Sequence, residues 1–488
     1  MKRNTLYAAI VFLVLAFVIT PAHAGSVANP TVTGPIPVNV PFQNPSHDYP
    51  QLATNVDLVS YGYIEQEFFF EGNANYYNMP VDANGIGMTG TVIGSAPYKS
   101  RMIVRRPVCP KAFNGVVIVE WFNVTPGYNW DIMWMSTADL LMREGYAYVG
   151  VSAQRVGVQG APAPGALPTG LTYWSPVRYG TLDVTAGGSF TRDELSYDIF
   201  SQAVQAVKKP QGVDPLGGLH AKIIIATGVS QSEVYLARYY NSVQPIANVI
   251  DGFYLCLGGG DKLRTDIPTK AWKFQTEDDL IAIGAAGSRQ DDSDHLRRWE
   301  IAGASHVSYE LNLARIPLLV RDNLPLPNPS TCVKQPAMSH IPTSHAMKAV
   351  YGHLVAWIIK GTRPPKAPLI ELTSISPPVV ARDELGNALG GLQLSQFAVP
   401  LATNTGENSG GGFCYLYGSY TPFDQATLDS LYHNHHSYVE EVVRVDHYNL
   451  KKGYIVEIDA IANRETAEQS NIGKYRCSGI HWKPEDCD

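Results

Sequence analysis

Two rhythms of apolar residues run along this chain. From Tyr61 to Tyr77 the text YGYIEQEFFFEGNANYY alternates and is rich in aromatics, and Lys99–Val104 carries a second short strand pattern. Both predict antiparallel strands opening a sheet. At Val116 the rhythm changes to VVIVEW, a nearly unbroken apolar run of the kind found in a strand buried on both faces. Helix and strand patterns then alternate. Trp130–Arg143 and Arg192–Lys208 read as helices, the second with Asp193 as its cap, while Tyr146–Val151 and Lys222–Thr227 read as buried strands. A helix is expected from Ser230 to about Asn241, strands at Val249–Leu255, Ala271–Thr276 and Arg298–Ile301, and a further helix over Ala346–Lys360.

Repeated βαβ units predict an α/β fold, a mostly parallel central sheet flanked by helices, with N-terminal antiparallel strands beside it. Residues 25–60, rich in Pro, Asn, Thr and Val, read as an extended lead-in, and residues 61–364 as the core. Gln154–Thr191 is too long and too rich in Gly and Pro for a simple connector, so it is expected to form a lid or pocket wall. Beyond Gly361-Thr362-Arg363-Pro364-Pro365 the apolar positions scatter without a repeat or a core of their own. Residues 365–488 therefore read as a C-terminal extension packed on the core.

Lys2 and Arg3, the apolar run Leu6–Ile19 and the small-residue site Pro21-Ala22-His23-Ala24 together read as a secretory signal peptide over residues 1–24. Cleavage near Ala24 would release a secreted or periplasmic protein. The apolar run is shorter than the roughly 20 residues that span a bilayer, and no later stretch is long enough, so no stable membrane insertion is expected. A formal net charge of −7 without any Lys/Arg cluster argues against nucleic acid as a partner. Export would permit disulfides among the six cysteines, whose pairing the spacing leaves open. Cys477 and Cys487 close a short loop and are a candidate staple, whereas Cys256 lies in an apolar strand and reads equally as a buried thiol.

The most specific chemistry lies at Ile223-Ile224-Ile225-Ala226-Thr227-Gly228-Val229-Ser230-Gln231-Ser232, where a buried strand runs straight into a nucleophile-elbow pattern. Such an elbow strains the serine backbone and needs small residues two before and two after it, here Gly228 and Ser232. Serine is a weak nucleophile without a general base. His306 follows the last core strand and fits that role, while His340, His345 and His353 fall in a Pro-rich loop or on a helix and His295 precedes the strand. The partner acid belongs between the two, at Thr276-Glu277-Asp278-Asp279. Asp279 is preferred there and Glu277 is the alternative; neighbouring carboxylates would raise one another's pKa. An oxyanion hole is expected from the backbone N–H of Gln231 and from the loop Phe122–Gly127, with Asn123 as its donor.

Three weaker patterns compete with bland readings. Asn123-Val124-Thr125 fits a glycosylation acceptor, His433-Asn434-His435-His436 could attract a transition metal, and Gly258-Gly259-Gly260 lacks the flanks of a phosphate loop. No cofactor and no metal is expected.

The chain resembles the bacterial alpha/beta hydrolase domain-containing proteins, a group of secreted, esterase-like serine hydrolases. The resemblance rests on Glu120-Trp121-Phe122-Asn123-Val124, Gly150-Val151-Ser152-Ala153-Gln154, the elbow, the Thr276–Asp279 turn, Trp299-Glu300-Ile301-Ala302-Gly303 and Leu385-Gly386-Asn387-Ala388-Leu389-Gly390-Gly391. It implies an α/β-hydrolase fold from about residue 60 to the C-terminus, with nucleophile, acid and histidine at Ser230, Asp279 and His306. The expected activity is cleavage of a carboxylic ester, small or polymeric, through an acyl-enzyme. Acyl transfer, amide cleavage or carbon–carbon hydrolysis could use the same residues, and a catalytically silent secreted binding protein could keep the fold.

Overall fold

The computed structural model describes residues 27–474. The leader pattern and the Cys477–Cys487 pair lie outside the described residues.

Ten strands form one sheet: β1 (Thr31–Thr33), β2 (Tyr63–Asn78), β3 (Thr91–Pro107), β4 (Val116–Trp121), β5 (Ala147–Val151), β6 (Gln211–Gly212), β7 (Ile223–Val229), β8 (Gly252–Cys256), β9 (Lys270–Thr276) and β10 (Leu296–Ile301). Their order is β10-β9-β8-β7-β4-β5-β3-β2-β1-β6. The six from β10 to β5 are mutually parallel. The long β2–β3 hairpin joins them antiparallel through β3 and β5. The continuous apolar runs of β4 and β7 fill the middle of this sheet and are almost wholly buried, as strands covered on both faces must be.

Alternation of side chains sorts the helices onto the two faces. On β4, Trp121 packs against Tyr197 and Phe200 of α2 (Ser196–Lys208) and Tyr235 of α3 (Gln231–Arg238). Its neighbour Glu120 points the other way and accepts N–H groups at the start of α1 (Ile132–Arg143) from Met133 and Trp134, together with the Tyr148 hydroxyl. Burial, and the nearby Asp131 charge, push the Glu120 carboxyl up to about 8. Downstream come α4 (Glu277–Ala282), α5 (Tyr309–Arg321) and α6 (Thr343–Lys360), and the extension adds α7 (His435–Lys452) and α8 (Glu457–Gln469).

Local differences from the sequence expectation have identifiable causes. Asp193 does not cap α2, which begins at Ser196. Its carboxylate instead accepts the Arg155 N–H, the Gln154 amide and the Tyr235 hydroxyl. The segment 154–191 contributes nothing to the wall of the cavity beside Ser230. It grips the lead-in: Trp174 stacks on His47 at 4.3 Å, the Tyr179 hydroxyl accepts the Gln51 N–H, and Arg178 pairs with Asp48 at 3.3 Å.

The extension joins the core directly. Leu392 donates its N–H to Glu300 O at 2.7 Å, Ile370 N–H reaches the Glu300 carboxylate, and Arg382 pairs with Glu277 at 2.7 Å. Ile370, Leu392, Phe397 and Tyr454 belong to the same apolar cluster as the sheet. A disulfide between Cys332 and Cys414 ties the extension to the chain ahead of α6, while Cys256 is a buried thiol and Cys109 an exposed one. Among the described residues no helix is long and apolar enough to cross a membrane.

Candidate active site

β7 ends at Val229 and α3 begins at Gln231, so Ser230 makes the whole turn with φ 61° and ψ −121°. Positive φ is costly for any residue with a Cβ, and the surroundings hold it in place. The Ser230 N–H donates to Cys256 O at 3.0 Å. At position 228 a Cβ would stand 2.8 Å from Ser232 O, so glycine is required there. Ser232, which stands where the pattern prefers glycine, turns its hydroxyl back onto Val229, donating to the carbonyl and accepting the N–H, both at 2.9 Å. The hydroxyl thus braces the elbow from inside.

His306 lies beyond β10, buried, and lines the same cavity as Ser230. Its Nδ1 is 2.6 Å from Asp279 Oδ1. The other Asp279 oxygen accepts the Thr276 N–H at 2.7 Å while the Thr276 hydroxyl accepts the Asp279 N–H, a reciprocal cap that fixes the start of α4. The three clustered acids have separate tasks. Glu277 is consumed by Arg382 and the N–H groups of Gly303 and Gly406, so it does not reach the histidine. Asp278 accepts the His306 backbone N–H at 3.2 Å; burial first, and then the Asp279 charge, hold its carboxyl well above the usual range. The mutual effect expected of adjacent carboxylates falls on Asp278.

Gln231 opens α3, and its backbone N–H finds no acceptor among the described residues. Asn123 is placed differently from expectation. Its backbone N–H is donated to Trp130 O at 3.2 Å, so it is not the free donor that the loop position suggested. The Asn123 side chain faces the elbow instead, with Nδ2 donating to Val229 O at 3.0 Å and Oδ1 accepting the Thr125 N–H at 2.9 Å. That burial also removes Asn123 as a glycosylation acceptor in the folded chain.

The cavity beside Ser230 and His306 opens to solvent and has a volume of about 40 Å³. Its wall is apolar and aromatic, built from Trp130 and Ile132, Leu257, Leu311 of α5, and Phe413, Leu416 and Tyr417 of the extension. These extension residues were not anticipated, because a wall assembled from remote segments leaves no local pattern. Arg315 was also missed. Its signal was available in YELNLARIPLLVR, where Leu311, Arg315 and Leu318 follow helical spacing and set an arginine on the buried face.

The remaining candidates have structural partners. His340 stacks between Tyr309 and Tyr420, His353 bonds Gly453 O, His345 lies near Asp459, and His295 bonds Pro268 O. Asn434 caps α7, His435 bonds Ile472 O and His436 pairs with Glu440, so the three imidazoles do not converge. Among the described residues no group of three or more His, Cys, Asp or Glu could hold a metal. Gly258 and Gly260 make room for the Glu233 carboxylate, since a Cβ at either would collide with it.

A strand-turn-helix elbow at the carboxyl edge of a parallel sheet, with an acid–histidine pair arriving from the loops after β9 and β10, defines the alpha/beta hydrolase class. The model of the family described as an alpha/beta hydrolase domain matches residues 32–465, and the chain belongs to that family. No curated protein matches the chain. Solved structures that are similar to it include a proposed dienelactone hydrolase from Klebsiella pneumoniae, at 11% identity over 52% of this chain and 98% of that one, TM-score 0.26. A ferulic acid esterase from Streptomyces cinnamoneus has 10% identity over 51% and 77%, TM-score 0.29. The rice cell wall degrading esterase LipA from Xanthomonas oryzae has 13% over 41% and 43%, TM-score 0.21. Likenesses this distant say nothing about substrate.

Proposed function

We propose that this hydrolase cleaves carboxylic esters through an acyl-enzyme on Ser230. The observation that carries the reading is the strained Ser230 opening onto the same cavity as His306, whose far ring nitrogen is held by the buried Asp279 carboxylate. His306 Nε2 takes the Ser230 proton as Oγ bonds to the ester carbonyl carbon. Negative charge gathers on the carbonyl oxygen, where the Gln231 N–H can receive it. Asn123 Nδ2 keeps one hydrogen after bonding Val229 O and serves as the second donor in this reading. The C–O bond then breaks, and His306 returns its proton to the leaving alcohol. Water repeats the sequence: His306 removes its proton, the hydroxide oxygen bonds to the acyl carbon, and Ser230 leaves with a proton as the free acid departs. Asp279 keeps the imidazole in the tautomer that presents Nε2 and stabilises the imidazolium.

Export belongs to the same proposal. The leader pattern supports it, as does the Cys332–Cys414 bridge, a feature of oxidising compartments.

The test is hydrolysis of a p-nitrophenyl ester series and labelling by a fluorophosphonate, comparing the purified chain with Ser230→Ala and His306→Ala. Loss of turnover by roughly 10⁴-fold or more in both variants, with labelling abolished in Ser230→Ala, is the expected result. A chain that neither turns over any ester nor takes the label would instead be a binding protein on a hydrolase fold. Transfer of the acyl group to an added alcohol faster than to water would reassign it as an acyltransferase.

A further inference from the structure

The cavity holds one charge that the ester reaction does not use. Arg315 on α5 is buried, 7% exposed, and lines the cavity with Ser230 and His306. Its guanidinium lies 4.5 Å over the Trp130 ring, and its Nε and Nη2 donate at 3.2 and 3.0 Å to a neutral acceptor, Asn312 Oδ1. It also stands near the buried Tyr128 phenol and partly offsets the rise that burial causes there. Among the described residues no carboxylate lies within 4.0 Å of it.

This is an exception within the molecule. The other buried arginines all have acid partners: Arg101 and Arg178 share Glu67, Arg105 has Glu65 and Asp131, Arg297 has Asp292 and Arg298 has Glu300. A buried cation that cannot lose its proton is expensive unless an anion meets it. Among the described residues nothing fills that role for Arg315, and the space it borders is the one beside Ser230.

We propose that Arg315 receives a carboxylate of the substrate, so that the preferred esters carry an anionic carboxylate as well as the scissile ester. A guanidinium meets a carboxylate through two parallel hydrogen bonds, a stronger and more directional match than a point charge would make. The Asn312 bonds and the Trp130 face hold the fork in one orientation before any ligand arrives. The aromatic and aliphatic remainder of the wall takes the apolar body of the molecule and strengthens the ion pair by excluding water. This inference rests on the hydrolase reading of the same cavity.

The experiment compares mono-p-nitrophenyl succinate, adipate and suberate with p-nitrophenyl butyrate, hexanoate and octanoate on the wild-type chain, Arg315→Met and Arg315→Lys. The readout is the ratio of kcat/KM for each anionic ester to that of its neutral counterpart. Wild type should favour the anionic member at one chain length, and Arg315→Met should lower that ratio roughly tenfold to a hundredfold, with Arg315→Lys between them. A ratio that is the same in all three proteins at every length overturns the proposal. Calorimetric titration of the free dicarboxylates into wild type and Arg315→Met, each first verified as folded by circular dichroism, separates this outcome from failure of the hydrolase reading. Binding that Arg315→Met loses would uphold the anion site even in a chain that hydrolysed nothing. No binding to wild type, or equal binding to both, would sink it.

Discussion

Asp279 holds His306 with one carboxylate oxygen and caps its own helix with the other, at 2.6 and 2.7 Å. The residue that aligns the imidazole is therefore fixed by the backbone on which it sits. Replacing it with Asn keeps an acceptor for the Thr276 N–H but can turn an amide N–H toward Nδ1 and favour the wrong tautomer. Asp279→Asn is expected to lower kcat by about 10⁴-fold while changing unfolding free energy by less than about 1 kcal/mol. Steady-state kinetics and chemical denaturation on the same samples check both halves.

Glu277, two residues earlier, should show the opposite separation. It neutralises the half-buried Arg382 and accepts the Gly303 and Gly406 N–H groups, so it braces the extension against the core. Glu277→Gln should destabilise the fold by about 1–2 kcal/mol, because the buried hydrogen bonds weaken while Arg382 keeps Glu407 as its partner. The folded fraction should retain kcat within a few-fold of wild type. A loss of kcat matching that of Asp279→Asn would show that the division of labour among the three acids is misread.

A pH dependence follows from Glu233, one turn into α3. Burial, followed by the Asp279 and Asp261 charges, outweighs the nearby Lys273 and pushes its carboxyl up to about 7. Between the ordinary carboxyl range near pH 4.5 and pH 7 the native state holds a proton that the unfolded chain has lost. Stability from this group is then fully present below the unfolded pKa and falls as pH rises through 7. Glu233→Gln should flatten that decline, which is worth on the order of 3 kcal/mol across the window. Denaturation midpoints between pH 4 and pH 8 provide the measurement, and parallel curves for the two proteins would refute the assignment.

The Cys332–Cys414 bridge closes a sequence separation of 82 residues. In the chain-entropy account a loop of that size contributes about 4 kcal/mol. Leu416 and Tyr417, two and three residues beyond its second cysteine, line the cavity. The paired variant Cys332→Ser/Cys414→Ser should therefore melt earlier and raise KM for esters more than it lowers kcat, since the wall loosens while Ser230, His306 and Asp279 keep their supports. A fall confined to kcat would count against this view of the wall.

Much of the core was legible because its signals are local. A strand buried on both faces is a continuous apolar run, and VVIVEW and KIIIATGV announced β4 and β7 before any packing was known. Ser230 was equally readable, because the elbow's need for small neighbours is met within five residues at Gly228 and Ser232. Chain order alone then pointed to Asp279 and His306. Position in the turn preferred Asp279 and left Glu277 open; the path of Arg382 back onto α4 shows that the Glu277 carboxylate is occupied.

Tertiary structure also decided where each loop went. The segment 154–191 had the composition of a lid but packs Trp174 and Tyr179 on the lead-in, while Phe413, Leu416 and Tyr417, far along the chain, join the cavity wall. An apolar residue in a loop carries no record of which surface will cover it. The unpaired state of Arg315 is likewise invisible in sequence, because an ion pair depends on what folds within about 4 Å, and any of the chain's acids could have been there. What the sequence by itself determined was the sheet, the elbow and the chain order of the candidate serine, acid and histidine, each set by hydrogen bonding and burial over a few residues. The separate partners of the three acids, the shape of the cavity and the lack of an acid partner for Arg315 among the described residues were decided by contacts between segments far apart in the chain.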